Sequence, residues 1–126
     1  MSFKGKPVKV IITGEAKKEF EELNKIVGDE ISKGVTSSDH QTLLNSIKQK
    51  IEFLKQNPQH GIHIPRDKIP NEYIIKYDAN NLWKVNLSGA WRMIYIIRGS
   101  EVEIVALILD ILNHRDYEKK FGYRKR

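Results

Sequence analysis

The chain has 126 residues, 40% of them hydrophobic, no cysteine, and a net charge of +6. That length supports one ordinary hydrophobic core, so a single domain over residues 1–126 is expected, and the apolar content excludes a disordered chain. The longest apolar run, Ile104 to Leu109, is far too short to cross a bilayer, so no membrane partner is expected.

Absence of cysteine removes disulfides, thiolate nucleophiles and most structural zinc sites, and it fits a reducing interior. The N-terminal stretch "MSFKGKPVKVIITGE" has a positive start but only a short apolar run, Val8 to Ile12, which makes a poor export signal; a cytoplasmic location is expected. The excess positive charge suits a polyanionic partner and equally suits solubility alone.

In chain order, Val8 to Ile12 is a β-branched run that reads as a buried strand. Thr13 then stands where a helix can be capped, and Ala16, Phe20, Leu23 and Val27 follow the spacing of one helical face, with Gly28 as the stop. Residues 28–37, "GDEISKGVTS", carry two glycines and no period and read as a loop. Ser38 and Gln41 have capping-box spacing for a second helix through Leu44, Ile47, Ile51 and Leu54, which Asn57 and Pro58 end.

From Gln59 to Asn71 the prolines and a glycine deny regular structure, while Ile62, Ile64 and Ile69 pin the segment to the body. Tyr73 to Tyr77 fits a short helix or an extended piece. Three strands follow, Leu82 to Leu87, Trp91 to Ile97 and Val102 to Leu109, joined by short turns and therefore antiparallel. Asn113 can cap a last short helix in "HRDYEKKF". The expected fold is α+β: an antiparallel sheet of about four strands, order β-α-α-β-β-β, with an N-terminal helical hairpin on one face and a short C-terminal helix.

Alternation in "LWKVNL" sends Trp83, Val85 and Leu87 to the helices and Leu82, Lys84 and Asn86 to the opposite face. If Arg92 joins them, that face offers fixed cations and an amide for a phosphate; ordinary solvation of a wet sheet face explains the same pattern. Directly after the last strand, "NHRDY" gathers an imidazole, a guanidinium and a phenol. His60 and His63 in "HGIH" lack the cysteine or carboxylate spacing of a metal site, and no metal or other cofactor is expected.

"NLWKVNLSGAWRMIYII" followed by "VEIVALILDILNHRDYEKKF" resembles the C-terminal half of the RelE/ParE superfamily of bacterial and archaeal toxins, and the element order extends the resemblance over most of the chain. The resemblance implies a metal-independent endoribonuclease that cuts messenger RNA, typically at the ribosome, and is held inactive in a complex with an antitoxin protein. By matching positions it implies Lys84 and Arg92 on the strands and His114 and Arg115 as the C-terminal basic pair; Asn86 stands where many relatives have a second cation. The C-terminal aromatic is Tyr117, Phe121 or Tyr123.

Within that frame Arg92 and Arg115 are assigned to the phosphate, Lys84 to charge stabilisation, His114 to proton transfer and Tyr117 to stacking or proton donation. Asn86 and the basic residues Arg124, Lys125 and Arg126 are assigned to the RNA. Arg92 paired with Glu101 or Glu103, and Trp83 and Trp91 as core residues, are the plain structural readings. Alternatives from the same superfamily are a ParE-like toxin that binds DNA gyrase without cutting RNA and an inactive RNA-binding relative. The antitoxin is expected to cover apolar surface on the helical hairpin.

Overall fold

The computed structural model describes residues 2–122; Tyr123, Arg124, Lys125 and Arg126 lie outside the described residues. Among the described residues six strands form one sheet: β1 (Ser2–Phe3), β2 (Lys6–Ile12), β3 (Ile62–His63), β4 (Trp83–Asn86), β5 (Arg92–Gly99) and β6 (Ile104–Leu112), in the spatial order β1-β2-β6-β5-β4-β3. The described residues also form the helices α1 (Gly14–Ser32), α2 (Asp39–Gln56), α3 (Asn71–Tyr77) and α4 (His114–Phe121). No helix among the described residues is long and apolar enough to cross a membrane.

The sheet is mixed, which corrects the expectation of a purely antiparallel one. Val8 to Ile12 run parallel to Ile104 to Ile108, while every other pairing is antiparallel. The meander β4-β5-β6 returns its last strand in the same direction as β2, and the intervening helices and edge segment make the crossover that a parallel pair requires. With both faces covered, β6 is apolar nearly throughout, as a central strand must be.

Helix α1 runs past Gly28 to Ser32, so the loop expected at 28–37 is confined to its second half. Nothing lies within 4 Å of a Cβ built at Gly28, and one exposed glycine costs only about 1 kcal/mol in a helix held by Ala16, Leu23 and Val27. Thr13 occupies the N-cap position with extended backbone, but its side chain makes no capping bond. Ser38 does cap α2, accepting from the Gln41 amide at 3.1 Å; Gln41 then reaches Glu30 and Val35 instead of closing a capping box.

Two apolar layers sandwich the sheet. Leu23, Val27, Leu43, Leu44, Ile47 and Leu54 of α1 and α2 meet Val85, Leu87, Met93, Tyr95, Ala106, Ile108 and Ile111, with Trp83 and Trp91 packed against them. The other layer joins Ile64, Ile69, Tyr73, Leu82, Ile94, Ile96, Leu109, Tyr117 and Phe121. This second layer was not expected, and it means the Lys84 side of the sheet is roofed by α3, α4 and the 62–70 segment. The 59–71 region, read as irregular, contains β3 and short 3₁₀ turns at Pro58–His60 and Arg66–Lys68, and Tyr73 to Tyr77 is helical.

Two glycines permit close approaches. Gly14 has a φ of +60°, and a Cβ there would strike the Tyr77 hydroxyl. At Gly61 a Cβ would lie 2.7 Å from both the Lys84 carbonyl oxygen and the Tyr95 hydroxyl, so only glycine lets the edge segment lie against β4.

Candidate functional site

Lys84 and Arg92 come from adjacent strands. Asn86 pairs with Arg92 and Lys84 with Ile94 across β4 and β5, so all four positions belong to the face opposite α1 and α2. β6 continues that face: Arg92 is opposite Leu112 and Ile94 is opposite Asp110. A bulge at Ile94/Tyr95 leaves Leu109 as an extra residue in β6, which lets Leu109 and Asp110, adjacent in sequence, both serve the second layer.

Asn113 turns the chain into α4, its side chain accepting from the Asp116 amide at 2.7 Å as the sequence leads one to expect. That start points Tyr117 and Phe121, one turn apart, down onto the sheet. The Tyr117 hydroxyl lies 2.9 Å from Lys84 Nζ, which donates to it, and the same ammonium is 5.0 Å from the ring centre. The Arg92 guanidinium sits 4.7 Å from the centre of that ring. Tyr117 is 1% exposed, whereas Lys84 and Arg92 are half-buried. Two cations from two strands thus converge on one aromatic ring, held by a hydrogen bond and by attraction to its π-face.

Arg92 donates from Nη1 to the Ala90 carbonyl, and its Nε is buried without a hydrogen-bond partner. No ion pair with Glu101 or Glu103 forms: Arg92 opens β5, and Glu103 lies by the far end of that strand and meets Lys9 at 3.5 Å. Asn86 is exposed beside Arg92.

His114 stands one turn before Tyr117, about 60° round the helix from it, and pairs through Nε2 with Glu118 at 3.0 Å. Arg115 is about 200° round from Tyr117 and exposed, so α4 turns it to solvent instead of joining it to Lys84 and Arg92. Of the residues expected to act together, Lys84, Arg92 and Tyr117 meet, His114 lies one helical turn from Tyr117 with its ring on Glu118, and Arg115 does not point with them. Arg124, Lys125 and Arg126 fall outside the described residues.

A second polar group on this side escaped the sequence reading. Asp110, 5% exposed, accepts from the Tyr73 hydroxyl at 2.6 Å and from Lys120 at 3.3 Å, and Lys120 also meets Glu72 at 2.7 Å. Burial and the neighbouring Asp110 push the Tyr73 phenol far above its ordinary range. For Lys120, burial works against the charged form, but bonding to Glu72 and the charge of Asp110 outweigh it and raise its pKa. The signal available was the lone charge in "ALILDIL", since a carboxylate inside an apolar run needs a partner.

An open cleft of about 480 Å³ runs along the Lys120 flank of α4, lined in part by Glu15, Glu19, Glu72, Asp116 and Lys120. Burial, then the neighbouring Asp116, Glu22 and Glu15, raise the Glu19 carboxyl. The acids of this cleft outnumber its lysines, Lys18, Lys119 and Lys120, so it suits an anionic substrate less well than the Lys84 and Arg92 side. His60 packs on Phe53 and His63 on Trp83, and among the described residues no cluster of His, Asp and Glu is arranged to hold a metal ion.

Residues 10–117 match the family model of the ParE toxin of type II toxin-antitoxin systems, parDE. A solved structure, the YoeB/ParE toxin from Agrobacterium tumefaciens, superposes with a TM-score of 0.54 over 84% of this chain and 98% of that one at 14% identity, a likeness of fold. No curated protein sequence matches the chain. With 108 consecutive positions under the family model, the chain belongs to the ParE toxin family of type II toxin-antitoxin systems, within the RelE/ParE superfamily.

Proposed function

We propose that this toxin is a metal-independent endoribonuclease that cleaves messenger RNA in the cytoplasm, at the ribosome, and is neutralised by an antitoxin protein. The observation that carries the reading is the meeting of Lys84, Arg92 and Tyr117 from three separate elements, with His114 one turn away on the same helix. In the proposed step a base, His114, takes the proton of a 2′-hydroxyl as its oxygen attacks the adjacent phosphorus. The 5′-oxygen leaves with a proton, giving a 2′,3′-cyclic phosphate and a 5′-hydroxyl end.

Lys84 and Arg92 carry the extra negative charge of the phosphorane between those events, the task for which preorganised cations are most effective. Tyr117 holds both cations in place from below, and the half-buried Lys84 ammonium gives a proton to the leaving oxygen. Substrate approaches along the flank shared by His114 and Glu118, displacing Glu118 from the imidazole. Arg115 and Asn86, both exposed, serve the neighbouring phosphates of the strand.

Induced expression in a bacterial host should arrest growth and truncate transcripts with 5′-hydroxyl ends. Arg92→Ala should relieve both, with cleavage down about 100-fold, the usual loss when one transition-state donor is removed. Growth arrest with intact transcripts would overturn the nuclease reading. The second reading, a toxin that binds DNA gyrase, draws support from the ParE family match and from Arg92 already giving one nitrogen to the Ala90 carbonyl. Under that reading expression yields broken DNA and uncut RNA.

A further inference from the structure

The meeting of Lys84, Arg92 and Tyr117 depends on where α4 lies, and a helix of eight residues does not hold itself in water. Tyr117 and Phe121 anchor it from below. Its flank is held separately: Lys120 bonds Asp110 of β6 at 3.3 Å and Glu72 of α3 at 2.7 Å, and Tyr73 of α3 donates to the same Asp110 oxygen at 2.6 Å. One ammonium, with three donors on a flexible stem, therefore joins three elements through a single point.

We propose that Asp110 and Lys120 are positioning residues for the site: they fix α4 over the sheet and so set the place of Tyr117 and His114 against Lys84 and Arg92. A carboxylate buried solely for stability is a poor choice, because an apolar residue of similar volume does as well or better. What the pair supplies is a fixed direction. Asp110 stands opposite Ile94, which in turn stands opposite Lys84, so the anchor of α4 and the cation beneath it share one rung of the sheet. The Lys120 side chain is 23% exposed and the Asp110 side chain 7%, so water weakens the contact only in part.

The kinetic arm of the test rests on the nuclease reading; the exchange arm does not. Amide hydrogen exchange and RNA cleavage are compared in the full chain, in Lys120→Met and in Lys120→Arg. In Lys120→Met, exchange at 114–121 should quicken about tenfold while β5 and β6 stay protected, kcat should fall about tenfold at unchanged KM, and Lys120→Arg should restore both.

Unchanged exchange at 114–121, or equal quickening over the whole sheet, overturns the proposal, as does full cleavage by Lys120→Met where the unaltered chain cleaves. If the unaltered chain cuts no RNA, the nuclease reading fails and exchange alone decides the positioning role. Should Lys120→Met not fold, Glu72→Gln loosens only the outer bond and should quicken exchange at 114–121 about twofold; no change there counts against the proposal.

Discussion

The two sides of the sheet are built on different terms. Toward α1 and α2 the contacts are almost wholly apolar, with Ile47 and Leu54 fully buried and Met93, Ala106 and Ile108 facing them. Toward α3 and α4 a second apolar layer is threaded by Lys84, Arg92, Asp110 and Lys120, each held by a hydrogen bond, a ring face or an opposite charge. Burial of apolar area stabilises without direction, whereas hydrogen bonds and ion pairs contribute little net stability and fix orientation. The first side holds the fold; the second aims side chains.

Substitutions that separate stability from toxicity test this division. The largest expected effect is on the first side: Ile47→Ala should cost about 3 kcal/mol of unfolding free energy in a urea titration, because a fully buried aliphatic chain is removed against a rigid sheet. Toxicity should persist wherever that variant remains folded.

Tyr95→Phe comes next, at about 1–2 kcal/mol, since it removes a bond donated to the Pro58 carbonyl at 2.6 Å and one accepted from the Gly61 amide at 3.1 Å. Burial pushes the Tyr95 phenol up to about 12, partly countered by the Gly61 amide. The folded chain therefore keeps that proton longer than the unfolded chain, so the stability it gives is complete below about pH 10 and is lost as pH rises toward about 12. Urea midpoints at about pH 8 and about pH 11 should fall less in Tyr95→Phe than in the unaltered chain, with Tyr73 supplying the remaining decline.

The smallest effect on stability should be Lys84→Met, about 1 kcal/mol or less, read by the same titration. Growth arrest should nonetheless disappear. A Lys84→Met protein as unstable as Ile47→Ala would show that the two sides do not differ in kind.

Periodicity made the first side readable. Leu44, Ile47 and Leu54 recur at helical spacing, Val85 and Leu87 alternate, and the caps at Ser38 and Asn113 form as their residue types demand. Lys84 and Arg92 were readable as partners because β4 and β5 are joined by a short turn that fixes their register. The roof over them was not, since the spacing of Ile64, Ile69 and Tyr73 among prolines matches no regular period and their burial comes from distant strands. Asp110 and Lys120 meet only because a bulge shifts one residue of β6, and no local pattern announces a bulge. The direction of β2 relative to β6 was equally hidden, as alternation is the same for parallel and antiparallel neighbours.

The pairing of Val8 to Ile12 with Ile104 to Ile108 carries a consequence for synthesis. A nascent chain emerging from a ribosome has its first long strand early but must wait until Ile104 to Ile108 have been made before the parallel neighbour of that strand appears. Contacts so distant in sequence close late, after their loop entropy has been met. The sheet therefore closes around β2 only after β6 has been made, so the complete fold, and with it the meeting of Lys84, Arg92 and Tyr117, is a late event in synthesis.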